Sequence, residues 1–270
     1  MFQECIEPVA VCSAGAAPQA SLPITMAVAA QWHNLPGRFD WLADQGFACA
    51  YAPDPHGLSA TADHLHPYLR RGMAVRYHGY FPGYEIGHSL ADEARTALEL
   101  HCRALDAVRG MGEQVMTVHV GLELGIPLDH GRVVENLTRL VNYAGSRGIT
   151  ISLENLRRGP TSHPETLIAW AQRSGAGITL DVGHAVSSRV VCDGGLAVPE
   201  IIDMIGDRLT EVHLYERETD RHHAPRDMAI LGPIVEKLSL SGCRWWTIEL
   251  DDDDDILLTR KLVCNYLEKR

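Results

Sequence analysis

ITISLEN (residues 149–155), GITLDVGHA (177–185), TEVHLYE (210–216) and RWWTIEL (244–250) set the pattern of this chain. Each is a short apolar run bounded by glycine or polar residues, as expected of a strand buried on both faces of a parallel sheet. Four runs of the same kind precede them: ITMAVAA (24–30), FACAYAP (47–53), MAVRYHG (73–79) and QVMTVHVGL (114–122). Helical spacings fill the gaps. In RVVENLTRLVNYAGSRG (132–148), Val133, Leu137, Leu140, Val141 and Ala144 recur at three- and four-residue steps and share one face, and Gly148 is placed to stop the helix. The segment 90–108 and the closing LLTRKLVCNYL (257–267) have the same character. Eight strands alternating with eight helical segments predict an α/β protein, a single-domain (β/α)8 TIM barrel over residues 21–270. Residues 1–20, rich in alanine and other small residues, are expected to form an N-terminal arm. An open doubly wound sheet is the rival, but no glycine-rich phosphate fingerprint follows the first run.

The bulk properties narrow the function. The chain has 270 residues, 46% of them hydrophobic, with a net charge of −11. It therefore gains nothing from the electrostatic attraction that brings basic proteins to nucleic acid. Only Lys237, Lys261 and Lys269 are lysines, all late in the chain, which disfavours Schiff-base chemistry. The seven cysteines are scattered, odd in number and form no CxxC, so reduced thiols are expected. No apolar stretch suits a membrane span and no secretory signal pattern is present, so a cytoplasmic location is expected.

Buried strands should carry few ionisable groups, because burying a charge costs several kcal/mol unless it is paired or bound to metal. Yet His78, His119, Glu154, Asp181, His184, His213 and Glu249 all fall near the C-terminal ends of the runs. In a parallel barrel these ends face one rim, where active sites form. Histidine, aspartate and glutamate supply the nitrogen and oxygen donors that divalent metals prefer. A polar loop, ETDRHHAPRD (218–227), follows the seventh run and leads back over the same mouth. Asp220 and His222, two residues apart on an extended loop, would point to the same side. His223 is an alternative inward-facing residue. The run Asp251–Asp255 reads as a solvated loop leading into the N-terminus of the final helix.

With SLEN, LDVGHA, EVHLYE and TIEL in this order, the chain resembles the xylose isomerase-like TIM barrel superfamily, which contains sugar isomerases and epimerases and endonuclease IV. The resemblance implies one of two ligand sets. The isomerase branch implies one divalent metal on Glu154, Asp181, His213 and Glu249, with the two glutamates also acting as proton-transfer bases and with His184 and Arg226 on the substrate. The endonuclease IV branch implies up to three metals on His78, His119, Glu154, Asp181, His184, His213, Asp220, His222 and Glu249. The DRH tripeptide at 220–222 favours the second branch.

The expectation is thus a divalent-metal-dependent phosphoester hydrolase, with Glu154 and Glu249 catalytic and Arg157, Arg158, Arg226 and His223 near the substrate. Zinc is the first expectation for the metal, and manganese, iron and magnesium suit the same donors. The acidic charge and the APRD that follows the loop histidines point away from DNA and toward a small phosphodiester. The resemblance also includes enzymes that open the nucleotide loop of cobamides. A sugar or sugar-phosphate isomerase or epimerase is the alternative.

Overall fold

A computed structural model describes residues 24–269; the expected arm at residues 1–20 lies outside them. Eight parallel strands close into a barrel: β1 (Thr25–Gln31), β2 (Ala48–Ala52), β3 (Val75–Gly79), β4 (Val115–Val118), β5 (Thr150–Glu154), β6 (Gly177–Asp181), β7 (Leu209–Leu214) and, after a short hairpin, β10 (Trp245–Ile248). Neighbours follow chain order, and β10 closes the ring by pairing with both β7 and β1. The hairpin consists of β8 (Arg217–Glu218) and β9 (His222–His223), paired antiparallel. The chain is a single-domain (β/α)8 TIM barrel, as its alternation predicts.

Helices cover the outside. The helix Ala91–Val108 buries Ala94, Ala97, Leu100, Ala104, Leu105 and Val108 against the strands. The helix His130–Gly145 buries Val133, Leu137, Leu140 and Ala144, and its N-cap Asp129 accepts a hydrogen bond from the Arg132 backbone N–H. Gly148 then takes a φ of +75, which a residue with a Cβ adopts only at a cost. The aspartate run opens the last helix, Asp253–Glu268: the Asp252 side chain caps it by accepting from the Asp255 N–H, and Asp253, Asp254 and Asp255 occupy its first turn. Negative charge there is favoured by the exposed N–H groups and the helix dipole. No helix among the described residues is long and apolar enough to cross a membrane.

Three expectations need correction. The apolar runs are longer than the strands: β4 stops at Val118 and β10 at Ile248, so His119 and Glu249 stand just beyond the ladder. His184 is not on a strand, because Asp181 accepts a hydrogen bond from the His184 N–H and starts the helix Val182–Ser187. The thiols are not all reduced either. Cys49, Cys102, Cys192 and Cys243 are free, whereas Cys264 is disulfide-bonded.

Candidate metal centre

The C-terminal mouth opens into a cavity of about 650 Å³. Its two halves differ. Ala29, Ala30, Ala50 and Ala52, on β1 and β2, form a small-residue wall, while the other strands deliver nearly all the ionisable groups. Glu154, at the end of β5, lies at the centre of these groups and is 1% exposed. Its Oε2 is 3.4 Å from His78 Nε2, 3.1 Å from His119 Nε2 and 3.3 Å from His213 Nδ1. Glu249 Oε1 approaches His213 Nδ1 at 3.2 Å and His78 Nδ1 at 3.4 Å.

Donor atoms gather into adjacent groups, each with its atoms within 4.8 Å of one another. His78, His119 and Glu154 form one; Glu154, Asp181, His213 and Glu249 form a second, fully buried one. Glu154 belongs to both. A further group, at the side of the mouth, brings together His184, Glu218 and His222.

The local chain explains how each donor is aimed. Glu85 is buried and accepts from the Gly121 and Gly87 backbone N–H groups at 2.6 and 3.1 Å, which fixes the turn that carries His119. His184 Nδ1 stands 3.0 Å from the Asn155 carbonyl and His222 Nδ1 stands 2.9 Å from the Glu249 carbonyl. A carbonyl can only accept, so both rings carry their proton on Nδ1 and keep Nε2 as a lone pair for a ligand. The His222 ring stacks on Tyr215, with centroids 3.9 Å apart. Gly183 makes room for that tyrosine: a Cβ there would stand 2.0 Å from its ring.

The electrostatics point to an excess of buried negative charge. Burial pushes the Glu154 carboxyl up, but His119 and His213 outweigh it and hold the group well below its usual range. Burial, then the charges of Glu154 and Glu249, push Asp181 well above its usual value. For His213, burial acts downward, and Glu249 and Glu154 together hold the imidazole well above its usual value. The upward shifts of Asp181 and His213 both record an excess of negative charge, which a divalent cation would offset. The donor atoms fit such a cation. His119 Nδ1, both Glu154 oxygens, Asp181 Oδ2 and both His213 nitrogens are buried without a hydrogen-bond partner, and buried polar atoms are otherwise nearly always paired.

Of the nine expected ligands, the fold brings eight to the mouth, and Asp220 is the exception. Its side chain is 88% exposed, at the tip of the β8–β9 hairpin, where it accepts from the Thr219 hydroxyl. The expected alternation assumed an extended loop, but the chain reverses between Glu218 and His222. These two residues are paired directly across the hairpin and share its inner face. Glu218, which the motif did not single out, therefore takes the inward position. His223 points away, its Nε2 2.6 Å from the Thr219 hydroxyl. Arg226 is also turned out, 75% exposed and paired with Asp255 at 3.0 Å. Arg157 and Arg158 do line the cavity. Arg157 holds the hairpin through Glu218 Oε2 at 3.0 Å and donates to the Glu218 and Thr219 carbonyls.

A closed parallel barrel with a carboxylate–imidazole cluster at the C-terminal ends of its strands defines a class of metal-dependent TIM barrels. The chain belongs to the xylose isomerase-like TIM barrel family, which residues 39–263 match. An uncharacterized protein of Methanocaldococcus jannaschii is 31% identical over 158 residues, 58% of this chain and 68% of that protein. Among solved structures, a D-tagatose 3-epimerase-like protein superposes with a TM-score of 0.74 at 18% identity, covering 90% of this chain and 97% of its own. Endonuclease IV from Thermus thermophilus superposes with a TM-score of 0.66 at 14% identity, covering 91% and 100%. At these identities the superpositions establish the shared fold. Proteins of this superfamily are enzymes, and they generally bind divalent metals.

Proposed function

We propose that this chain is a divalent-metal-dependent phosphoester hydrolase with a multinuclear centre, acting on a small phosphodiester. The observation that carries this reading is the sharing of Glu154 between two donor groups, with His78 and His119 completing the first. Proton transfer between sugar carbons needs one cation and two bases; it gives no task to two further imidazoles on the same carboxylate. Divalent cations held there supply Lewis acidity toward phosphoryl oxygens and lower the pKa of water. Zinc suits the mixture of imidazole and carboxylate donors, and the His184–Glu218–His222 group has the donors for a third ion.

The chain's own groups supply the rest. Glu154 and Glu249 are held ionised, and Glu249, at the cavity wall, is placed to accept a proton or orient the attacking water. Arg158, beside the Glu218-paired Arg157, lines the cavity and would supply charge for phosphate oxygens. Leu122, Leu124, Leu156 and the alanine wall give the cavity its apolar lining beside the donor groups. A cavity of about 650 Å³ in a chain of net charge −11 suits a small phosphodiester better than duplex DNA.

The isomerase or epimerase reading has one observation in its favour: Glu154, Asp181, His213 and Glu249 form a complete four-donor group by themselves. Arg226, expected at the substrate in either reading, is bound to Asp255 and favours neither. Metal-loaded protein assayed with bis(p-nitrophenyl) phosphate and with ketohexoses separates the two. The hydrolase reading expects phosphodiester turnover that falls by at least two orders of magnitude in His78→Ala and His119→Ala. Ketohexose epimerisation that survives in both variants, with one bound cation, overturns it.

A further inference from the structure

Beneath the cluster, the barrel layer is polar on six of its eight strands, with alanines on β1 and β2. Each cluster residue on a barrel strand or just past its end stands two positions after a polar residue: Arg76 before His78, Thr117 before His119, Ser152 before Glu154, Thr179 before Asp181, Glu211 before His213, and Thr247 before Glu249. Residues two apart on a strand share a face, so these six side chains form the tier below the cluster. Such tiers in (β/α)8 barrels are dominated by branched apolar residues. Most of this one satisfies itself: the Thr117 and Thr179 hydroxyls are 2.8 Å apart, and Ser152 meets Thr179 at 2.6 Å.

Two members are charged. Arg76 Nη1 lies 3.5 Å from Glu211 Oε2 and donates to the Thr210 carbonyl at 2.8 Å, with the guanidinium over the Trp245 ring. Glu211, 1% exposed, accepts from the Thr247 hydroxyl at 2.8 Å through Oε1, and that oxygen is 3.4 Å from His213 Nε2. A buried ion pair is a poor source of stability, since the desolvation of both charges offsets their attraction. Its use lies in what the carboxylate faces. His213 Nδ1 is aimed at Glu154 and Glu249. For Nδ1 to offer a lone pair to a cation, the proton must sit on Nε2, and Nε2 faces Glu211.

We infer that Glu211 is a positioning residue: its Oε1 faces His213 Nε2 at 3.4 Å without a completed hydrogen bond, and it would accept the Nε2–H and hold the ring once Nδ1 serves the cation of the Glu154–Asp181–His213–Glu249 group, while Arg76 neutralises the added carboxylate. Carboxylates behind metal-ligating imidazoles fix the tautomer and raise ligand basicity. The position is also readable in sequence, since Glu211 is the residue two before His213 on the same strand. The inference rests on His213 being a metal ligand, and not on the substrate.

The test is zinc affinity, measured by competition against a chromophoric chelator on the full chain, with circular dichroism as the check on folding. Glu211→Gln keeps the shape and one acceptor oxygen but removes the charge. The double variant Arg76→Met, Glu211→Gln leaves no uncompensated arginine in the barrel. Both are expected to weaken one class of bound zinc by about 10- to 100-fold, as loss of an outer-shell partner does. The His78–His119–Glu154 group should change far less. A merely structural ion pair would lower the melting temperature and leave zinc affinity within twofold of the wild type; that result overturns the inference alone. A wild-type protein that binds no zinc overturns the metal centre and the inference together.

Discussion

Replacing Glu154 with glutamine perturbs both the His78–His119–Glu154 and the Glu154–Asp181–His213–Glu249 groups, because one carboxylate serves the two. Its Oε2 faces nitrogens of His78, His119 and His213 at 3.4, 3.1 and 3.3 Å, and no polar group of the protein satisfies either of its oxygens by a hydrogen bond. Apparent binding free energies of zinc sites run to about 10–16 kcal/mol, so one ligand in four carries roughly 3–4 kcal/mol, or about two to three orders of magnitude in Kd. Glutamine keeps a weak oxygen donor, which puts the loss at about 100-fold for each site. The expected signature is the number of cations lost. Glu154→Gln should release two equivalents from metal-loaded, desalted protein, whereas His119→Ala should release one and leave the four-donor group filled. Elemental analysis by plasma mass spectrometry gives the count, and chelator competition gives the affinities. If Glu154→Gln releases a single equivalent, or if the wild type holds only one, the shared-carboxylate reasoning is wrong.

Two further outcomes follow from particular residues. Glu218→Gln should remove the cation of the side group while Asp220→Asn leaves the metal count unchanged; the reverse result would mean that the β8–β9 hairpin opens in solution. His101 is buried, and its pKa is lowered to about 4, chiefly by burial. Its folded value lies below its unfolded one, so its contribution is complete above about pH 6.5 and is lost as the pH falls toward 4. Over that window the unfolded chain takes up the proton first, a cost of about 3 kcal/mol. Metal-free His101→Met should therefore lose less stability than wild type between pH 7 and 4. Urea midpoints that shift in parallel for both proteins would remove His101 from the acid response.

The barrel was legible in the sequence because its signals are local. The alternation of strand and helix, the glycine stop at Gly148 and the three- and four-residue spacing of Val133, Leu137 and Leu140 are set by backbone geometry, and the structure keeps them. The residues of the mouth were legible for a related reason. A carboxylate such as Glu154 at the end of an apolar strand needs a cation, and parallel strands end on one side. The misplaced residues sit where the chain leaves the strands. Asp220 and Glu218 exchange roles because the inward face of a hairpin depends on its register, and the register was set by a turn at 219–221 that the motif did not mark. Arg226 was drawn outward by Asp255, a partner 29 residues away.

By itself, then, the sequence determined the number and direction of the strands and the chemistry of their ends, because both depend on periodicities of two and of three to four residues. Only the tertiary structure decided that Glu154 is shared, that Glu218 rather than Asp220 faces the mouth, and that Glu211 stands behind His213. Those are relations between atoms on different strands, fixed when the ring of eight closes and brings side chains from β3, β5, β7 and the residue after β10 within 3 to 4 Å of one another.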